Sequence, residues 1–229
     1  MKTEIRAVET KKRLPLPAYS ILPLVVTVIC HTLCYSGSKL INVHFPHHEI
    51  NSAIDAAIPL MPEWVIVYVG TFFFWMVGLV MIMREDKALC YELFSALVIS
   101  YAVCFVIFIV YPTTMERPEL SGSGYASQLL GVLWQLDTPT NLFPSMHCLL
   151  SWMVFRASLR CKKTNTFFKV LSFVASVLIF ASVVLVKQHV FADIIGGVFF
   201  AELSLFLAKK LHGENFFYNI EKKLLKKSL

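Results

Sequence analysis

Lys187-Gln188-His189-Val190-Phe191-Ala192-Asp193 stands at the mouth of an apolar run that continues to residue 208. The run 190–208 is close to the roughly 20 residues needed to cross the hydrocarbon core of a bilayer. Ionisable groups at the edge of such a segment are costly, so they mark a candidate functional site. If the stretch is helical, the four-residue spacing puts His189 and Asp193 on one face. There a carboxylate can fix the imidazole tautomer and stabilise its cation. Working outward, five more apolar runs occupy 20–38, 64–83, 92–111, 143–158 and 168–186. His31, Ser36 and Gly37 interrupt the first, and the fourth opens on Phe143-Pro144-Ser145-Met146-His147.

The composition points the same way. The 229 residues are 57% hydrophobic and 16% charged, against about 45–50% and about 25% in soluble domains. The expectation is an all-α polytopic membrane protein with six transmembrane helices. It divides into a basic N-terminal segment (1–19), a six-helix membrane domain (20–208) and a basic tail (209–229). In the tail, Phe216, Phe217, Ile220, Leu224 and Leu225 mix with lysines, which suits an interfacial amphipathic helix, with a solvated tail as the alternative. Arg13 before an apolar stretch mimics a signal peptide, but no small-residue cleavage site follows, so the first run reads as an uncleaved span. Cys30, Cys34, Cys90, Cys104, Cys148 and Cys161 mostly fall inside apolar runs and form no C-x-x-C pair. They read as small buried hydrophobes.

Charge orients the spans. Eighteen of the 21 lysines and arginines fall in the N-terminal segment, in the loops after the second and fourth runs, and in the tail. Only Lys39, Arg117 and Lys187 fall on the other side. The positive-inside rule then places both termini in the cytoplasm. The net charge of +6 is accounted for by topology and by anionic headgroups, so no nucleic-acid partner is implied. On this topology Arg117-Pro118, His147 and the Lys187–His189 turn all reach the non-cytoplasmic face, although topology was set by other residues.

The set resembles the type 2 phosphatidic acid phosphatase superfamily over roughly residues 60–208. That family reads Lys, six residues, Arg-Pro; then Pro-Ser-Gly-His; then Ser-Arg, five residues, His, three residues, Asp. The resemblance implies that His189 is the nucleophile forming a phosphohistidine and that Asp193 orients it. It implies that His147 protonates the leaving alkoxide and then activates water, while Arg117 and Ser145 hold phosphate oxygens. The chemistry is sound. A neutral imidazole backed by a carboxylate is a competent nucleophile near neutral pH, and a second histidine serves as acid, then base. Val110 stands where the family has Lys, Val183 where it has Arg, and Met146 where it has Gly. Lys187, two residues from His189, is the candidate replacement cation. The Ser-Met-His and Lys-Gln-His variants are similar to the branch containing inositol phosphorylceramide synthases.

The resulting expectation is an integral membrane lipid-phosphate phosphatase in the plasma or cytoplasmic membrane, acting on a phosphomonoester or diphosphate lipid with no cofactor and no metal. The alternatives are a lipid phosphotransferase and, in another class, a non-enzymatic six-helix transporter or scaffold. Taken alone, Arg117 also suits a salt bridge with Glu116 or Glu119, and Lys187 an interfacial marker. His44, His47, His48 and Glu49 fit no standard metal spacing. Trp64, Trp75 and Trp134 read as belt or packing residues, Gly196 and Gly197 as close-packing positions, and Asp55 and Asp137 have no assigned role.

Overall fold

The computed structural model describes residues 16–227. Lys2, Arg6, Lys11, Lys12 and Arg13 of the basic N-terminal segment lie outside the described residues. The first apolar run forms a rod over Ala18–Asn42: a 3-10 turn (Ala18–Ser20), α1 (Ile21–Thr32), a π turn (Leu33–Gly37) and α2 (Ser38–Asn42). The interrupting Ser36 and Gly37 therefore sit in a π distortion rather than a break. Such distortions often accompany functional positions, and this one carries Tyr35.

The next elements are β1 (His48–Glu49), α3 (Ala53–Ala57), α4 (Val65–Arg84), α5 (Lys87–Val110), β2 (Thr113–Thr114) and α6 (Tyr125–Leu136). They are followed by α7 (Met146–Arg160), α8 (Thr166–Leu185), α9 (Phe191–Lys210) and α10 (Glu214–Lys227). The two strands pair in parallel over two residues and tie the first loop to the chain after α5. Helix starts are marked by acceptor side chains. Asp86 accepts the Leu89 N–H, Ser145 that of Cys148 and Asn165 that of Phe168, which satisfies donors that a helix leaves unpaired at its first turn.

Among the described residues five helical segments are long and apolar enough to cross a membrane: Ala18–Asn42, Pro62–Arg84, Lys87–Val110, Thr166–Leu185 and Phe191–Lys210. The fourth expected span appears as α7, a helix of 15 residues. It occupies the middle of the bundle, packed against α4, α8 and α9. Leu149, Leu150 and Met153 join Tyr91, Phe94 and Phe108 in the main core. The outer faces stay apolar: Ile66, Phe73, Phe167 and Phe199 are exposed, as expected of helices that meet lipid. The tail helix α10 lies on α5. Phe217 is fully buried there beside Tyr91, and Lys87 pairs with Glu221 at 2.6 Å.

The bundle has two chemically distinct ends. One gathers the N-termini of α4, α7 and α9 with the C-termini of α2, α5 and α8. The other carries the ion pair of Arg160 with Glu92 at 2.7 Å. Lys162 and Lys163 donate there from their backbone to Glu85. His189, His147, Arg117 and Lys187 all belong to the first end.

Candidate active site

His189 and Asp193 meet one turn apart. His189 Nδ1 lies 3.0 Å from Asp193 Oδ2, and the same oxygen accepts the Val190 N–H at 3.0 Å. One carboxylate therefore caps α9 and orients the ring. It is fully buried, and its Oδ1 has no partner among the described residues. With the carboxylate on Nδ1, the proton is assigned to that nitrogen and Nε2 carries the free lone pair.

His147 lies in the first turn of α7, its ring centroid 5.7 Å from that of His189. Its ring packs against Tyr68 at 4.6 Å and Trp75 at 5.1 Å. Its Nε2 is buried without a partner among the described residues. Trp75 also donates to Ser151 Oγ, which fixes this wall. The two histidines share a register because α7 and α9 touch backbone to backbone. Ser145 N donates to the Asp193 carbonyl at 3.1 Å. A Cβ on Gly197 would sit 2.7 Å from the Ser145 carbonyl oxygen, so glycine is what permits the approach. Pro144 precedes the Ser145 cap and lies two positions before the first helical residue, Met146. Ser145 itself is fully buried, and its Oγ accepts the Cys148 N–H at 3.3 Å.

The turn from α8 to α9 folds on Val183, whose carbonyl accepts the N–H groups of Gln188 and His189, both at 3.0 Å. Lys187 has φ 52°, a left-handed conformation that glycine usually takes at a helix C-terminus. Its surroundings over-determine it. Nζ donates to the carbonyls of Asp55 at 2.9 Å and Ile58 at 2.6 Å, and the Lys187 carbonyl accepts from Arg117 Nε at 3.0 Å. Burial pushes the ammonium pKa down, with Asp55 opposing. Asp55 is itself a hub: it accepts from Ser52 and from the Phe191 N–H at 2.7 Å.

Arg117 spends its guanidinium on the same turn. It donates to the carbonyls of Lys187, Trp134 and Asp137 and to Gln188 Oε1, and it lies 5.1 Å over the Trp134 ring. Burial lowers its pKa and Asp137 raises it; a group with so high an intrinsic value stays cationic. No ion pair with Glu116 or Glu119 forms among the described residues.

Two cavities flank His189. A polar one of about 490 Å³ is bordered by Ser52, Asp55, Glu116, Arg117 and Lys187. A smaller one of about 250 Å³ holds His147, Gln188, Tyr35, Asp137 and the aromatic wall of Tyr68, Phe72 and Trp75. His189 borders both; Ser145 and Asp193 border neither. Tyr35 donates to Asp137 Oδ1, and Lys39 Nζ reaches the same oxygen at 3.2 Å. Burial pushes the Asp137 carboxyl up, but the Tyr35 hydrogen bond and Lys39 prevail and hold it below the ordinary range.

Sequence reasoning missed Gln188, Tyr35 and Asp137 as parts of the site. Their only signal was a polar side chain next to His189 and an aspartate without a role. The histidines of the first outer loop border neither cavity, and His48 in β1 stacks 4.1 Å from Tyr111. Among the described residues no group of three His, Cys, Asp or Glu side chains is arranged to hold a metal ion.

No curated protein matches the chain. A model of the PAP2 superfamily matches residues 42–207, well over half of the sequence and a span that contains His147, His189, Asp193 and the whole lining of the polar cavity. The chain belongs to the PAP2 superfamily.

Proposed function

We propose that this protein is an integral membrane lipid-phosphate phosphatase that hydrolyses a phosphomonoester or diphosphate lipid through a phosphohistidine on His189. The observation that carries the reading is the pairing of an Asp193-oriented imidazole with a second imidazole whose Nε2 has no partner among the described residues, both lining one cavity with centroids 5.7 Å apart. In the first step His189 Nε2 attacks phosphorus, the P–O bond to the lipid breaks, and His147 gives the leaving alkoxide its proton. In the second, water attacks the phosphohistidine. His147 takes the water's proton, phosphate leaves and both imidazoles return to their starting state. A histidine alternating between acid and base contributes about 10²–10⁴ in rate. Arg117 and Lys187 supply positive charge from the polar chamber on the other side of His189, and Ser145 supports the site by capping the first turn of α7.

The aromatic wall and the lipid-compatible outer faces support a substrate whose chain stays in the bilayer, such as phosphatidic acid, phosphatidylglycerol phosphate or a polyprenyl diphosphate. Six crossings with α7 as the short one, both termini cytoplasmic and the site on the non-cytoplasmic face remain the topology we favour. Its support is that Arg84, Lys87, Arg160, Lys162 and Lys163 occupy the end away from His189.

The polar cavity on the far side of His189 from the aromatic wall favours a second reading, a lipid phosphotransferase. There a polar group retained on phosphorus, or an acceptor alcohol, would occupy that space. Phosphate release by purified protein in detergent with chelator present, repeated with an added lipid alcohol, separates the readings. Hydrolysis yields free phosphate and the dephosphorylated lipid, whereas transfer yields a phosphate ester of the added alcohol, which is a phosphodiester when the donor is itself a diester. Wild-type turnover in His189→Ala would sink the nucleophile assignment. Wild-type rates in both His189→Ala and His147→Ala would leave a transporter or scaffold.

A further inference from the structure

We propose that the side-chain amide of Gln188 is a phosphate-binding donor of this site and that it relays the charge of Arg117 to a substrate oxygen. The proposal rests on the phosphoryl-transfer reading and adds to it a residue for which no role has been assigned.

Gln188 is 2% exposed. Its Oε1 accepts a hydrogen bond from Arg117 Nη2. A guanidinium only donates, so the amide has one orientation: oxygen toward Arg117, Nε2 away from it. That Nε2 is buried and has no partner among the described residues. A buried amide donor without an acceptor is costly, and native proteins keep few of them. Gln188 borders the cavity shared by His147 and His189, where His147 Nε2 is likewise unpartnered. Gln188, His147 and the nucleophile thus line one cavity, and the first two each carry a buried nitrogen without a partner among the described residues. A phosphoryl group, with several acceptor oxygens around one phosphorus, complements that arrangement.

The positions of the cations explain why an amide takes this part. Val183, where the family carries Arg, is fully buried among Val65, Tyr68 and Cys148. Val110, where it carries Lys, is 74% exposed. Lys187 Nζ is committed to two carbonyls, and Arg117 borders the other cavity. Gln188 is the side chain that touches Arg117 and also borders the His147 chamber. A hydrogen bond accepted from a cation polarises the amide and makes its N–H a stronger donor. Arg117 acts through Gln188 as a positioning residue, and Gln188 makes the contact.

Gln188→Glu tests this, because glutamate keeps the acceptor for Arg117 and replaces the donor with a second acceptor. The expected result is undiminished thermal stability with kcat/KM lower by about 100-fold, the effect of losing one donor at a developing charge. Orthophosphate is the binding probe, followed by the fluorescence of Trp75 in the cavity wall, with Trp75→Phe identifying the signal. Binding is expected to weaken at least about tenfold in Gln188→Glu. Gln188→Met, which loses both roles, lowers stability as well. If Gln188 is only a prop for Arg117, Gln188→Glu keeps its turnover and its orthophosphate affinity within about threefold, and the proposal is overturned while His189 chemistry stands. Failure of wild-type protein to bind orthophosphate also overturns it. Weakened orthophosphate binding in Gln188→Glu, with no turnover of any lipid phosphate by wild type, would sustain the binding role and discard the enzymatic reading.

Discussion

Replacing Gly197 with alanine is expected to pull the two reactive rings apart. The added Cβ would meet the Ser145 carbonyl oxygen at 2.7 Å, Cys148 Cβ at 2.9 Å and the Leu149 nitrogen at 3.1 Å. All three are backbone or Cβ atoms of the cap and first turn of α7, so no rotamer change relieves the clash. Comfortable contact begins near 3.5 Å, so α7 must retreat by roughly half an ångström to one ångström. Extra volume at a tight contact costs about 1–3 kcal/mol. His147 rides on the displaced turn while His189 stays with α9. Because a misplacement near 1 Å is worth about 100-fold in rate, kcat should fall about 10- to 100-fold, with a smaller change in KM. Two alanine variants calibrate the result. Nothing lies within 4 Å of a Cβ on Gly70, so Gly70→Ala keeps full rate and stability. A Cβ on Gly78 would meet Val154 Cγ1 at 2.3 Å, about 10 Å along α7 from His147, so Gly78→Ala lowers Tm and largely spares kcat. Phosphate release and detergent-phase Tm for the three variants decide the matter. If Gly197→Ala loses no more kcat than Gly78→Ala at equal loss of Tm, the α7–α9 contact does not set the geometry of the site.

Three further outcomes are expected. Lys187→Ala removes two hydrogen bonds from a charged donor to buried carbonyls and should lower stability by about 1.5–3 kcal/mol; a large loss of kcat at unchanged Tm would instead give Lys187 a direct contact with substrate. Val183→Arg, which restores the family's cation, should abolish folded protein on size-exclusion chromatography, because a fully buried position receives an unpaired charge; monodisperse, active protein would contradict this packing. Asp137 is held below the ordinary carboxylate range, so its stabilisation is complete above that range and is lost as pH falls through the depressed value. Wild-type Tm should therefore drop on acidification more steeply than that of Asp137→Asn, and parallel curves would count against the Tyr35–Lys39–Asp137 cluster.

The helices that meet lipid were legible because lipid demands apolar residues on most of their faces. α4, α5, α8 and α9 all follow from uninterrupted runs. α7 was the weakest to read for the opposite reason. It is surrounded by protein, so it carries Ser151, Ser158 and Arg156, and only its length and the motif at its start betray it. In the site, His189 and Asp193 were legible because their contact is local and periodic. Gln188 and Asp137 were not. Their partners Arg117 and Tyr35 lie 71 and 102 residues away, and a contact across such a separation leaves no spacing in one sequence. Arg117 illustrates the limit: a phosphate ligand and a loop salt bridge both fit its sequence context, but three main-chain carbonyls and one amide take its donors.

The length of α7 also bears on what the protein asks of its membrane. Fifteen residues span about 22 Å, against a hydrocarbon core of about 30 Å. On the proposed topology Arg160 anchors one end at the cytoplasmic interface, so the His147 end stops several ångströms short of the other. His147 accordingly packs beside Tyr68 and Trp75, inside α4 rather than at its tip. A phosphorus atom riding at the headgroup plane must descend to meet His189, or the bilayer must thin above it. Such mismatch costs fractions of a kcal/mol per ångström. Turnover would then depend on the host lipid as well as on the substrate, running faster in short-chain bilayers than in long-chain ones at the same surface density of substrate.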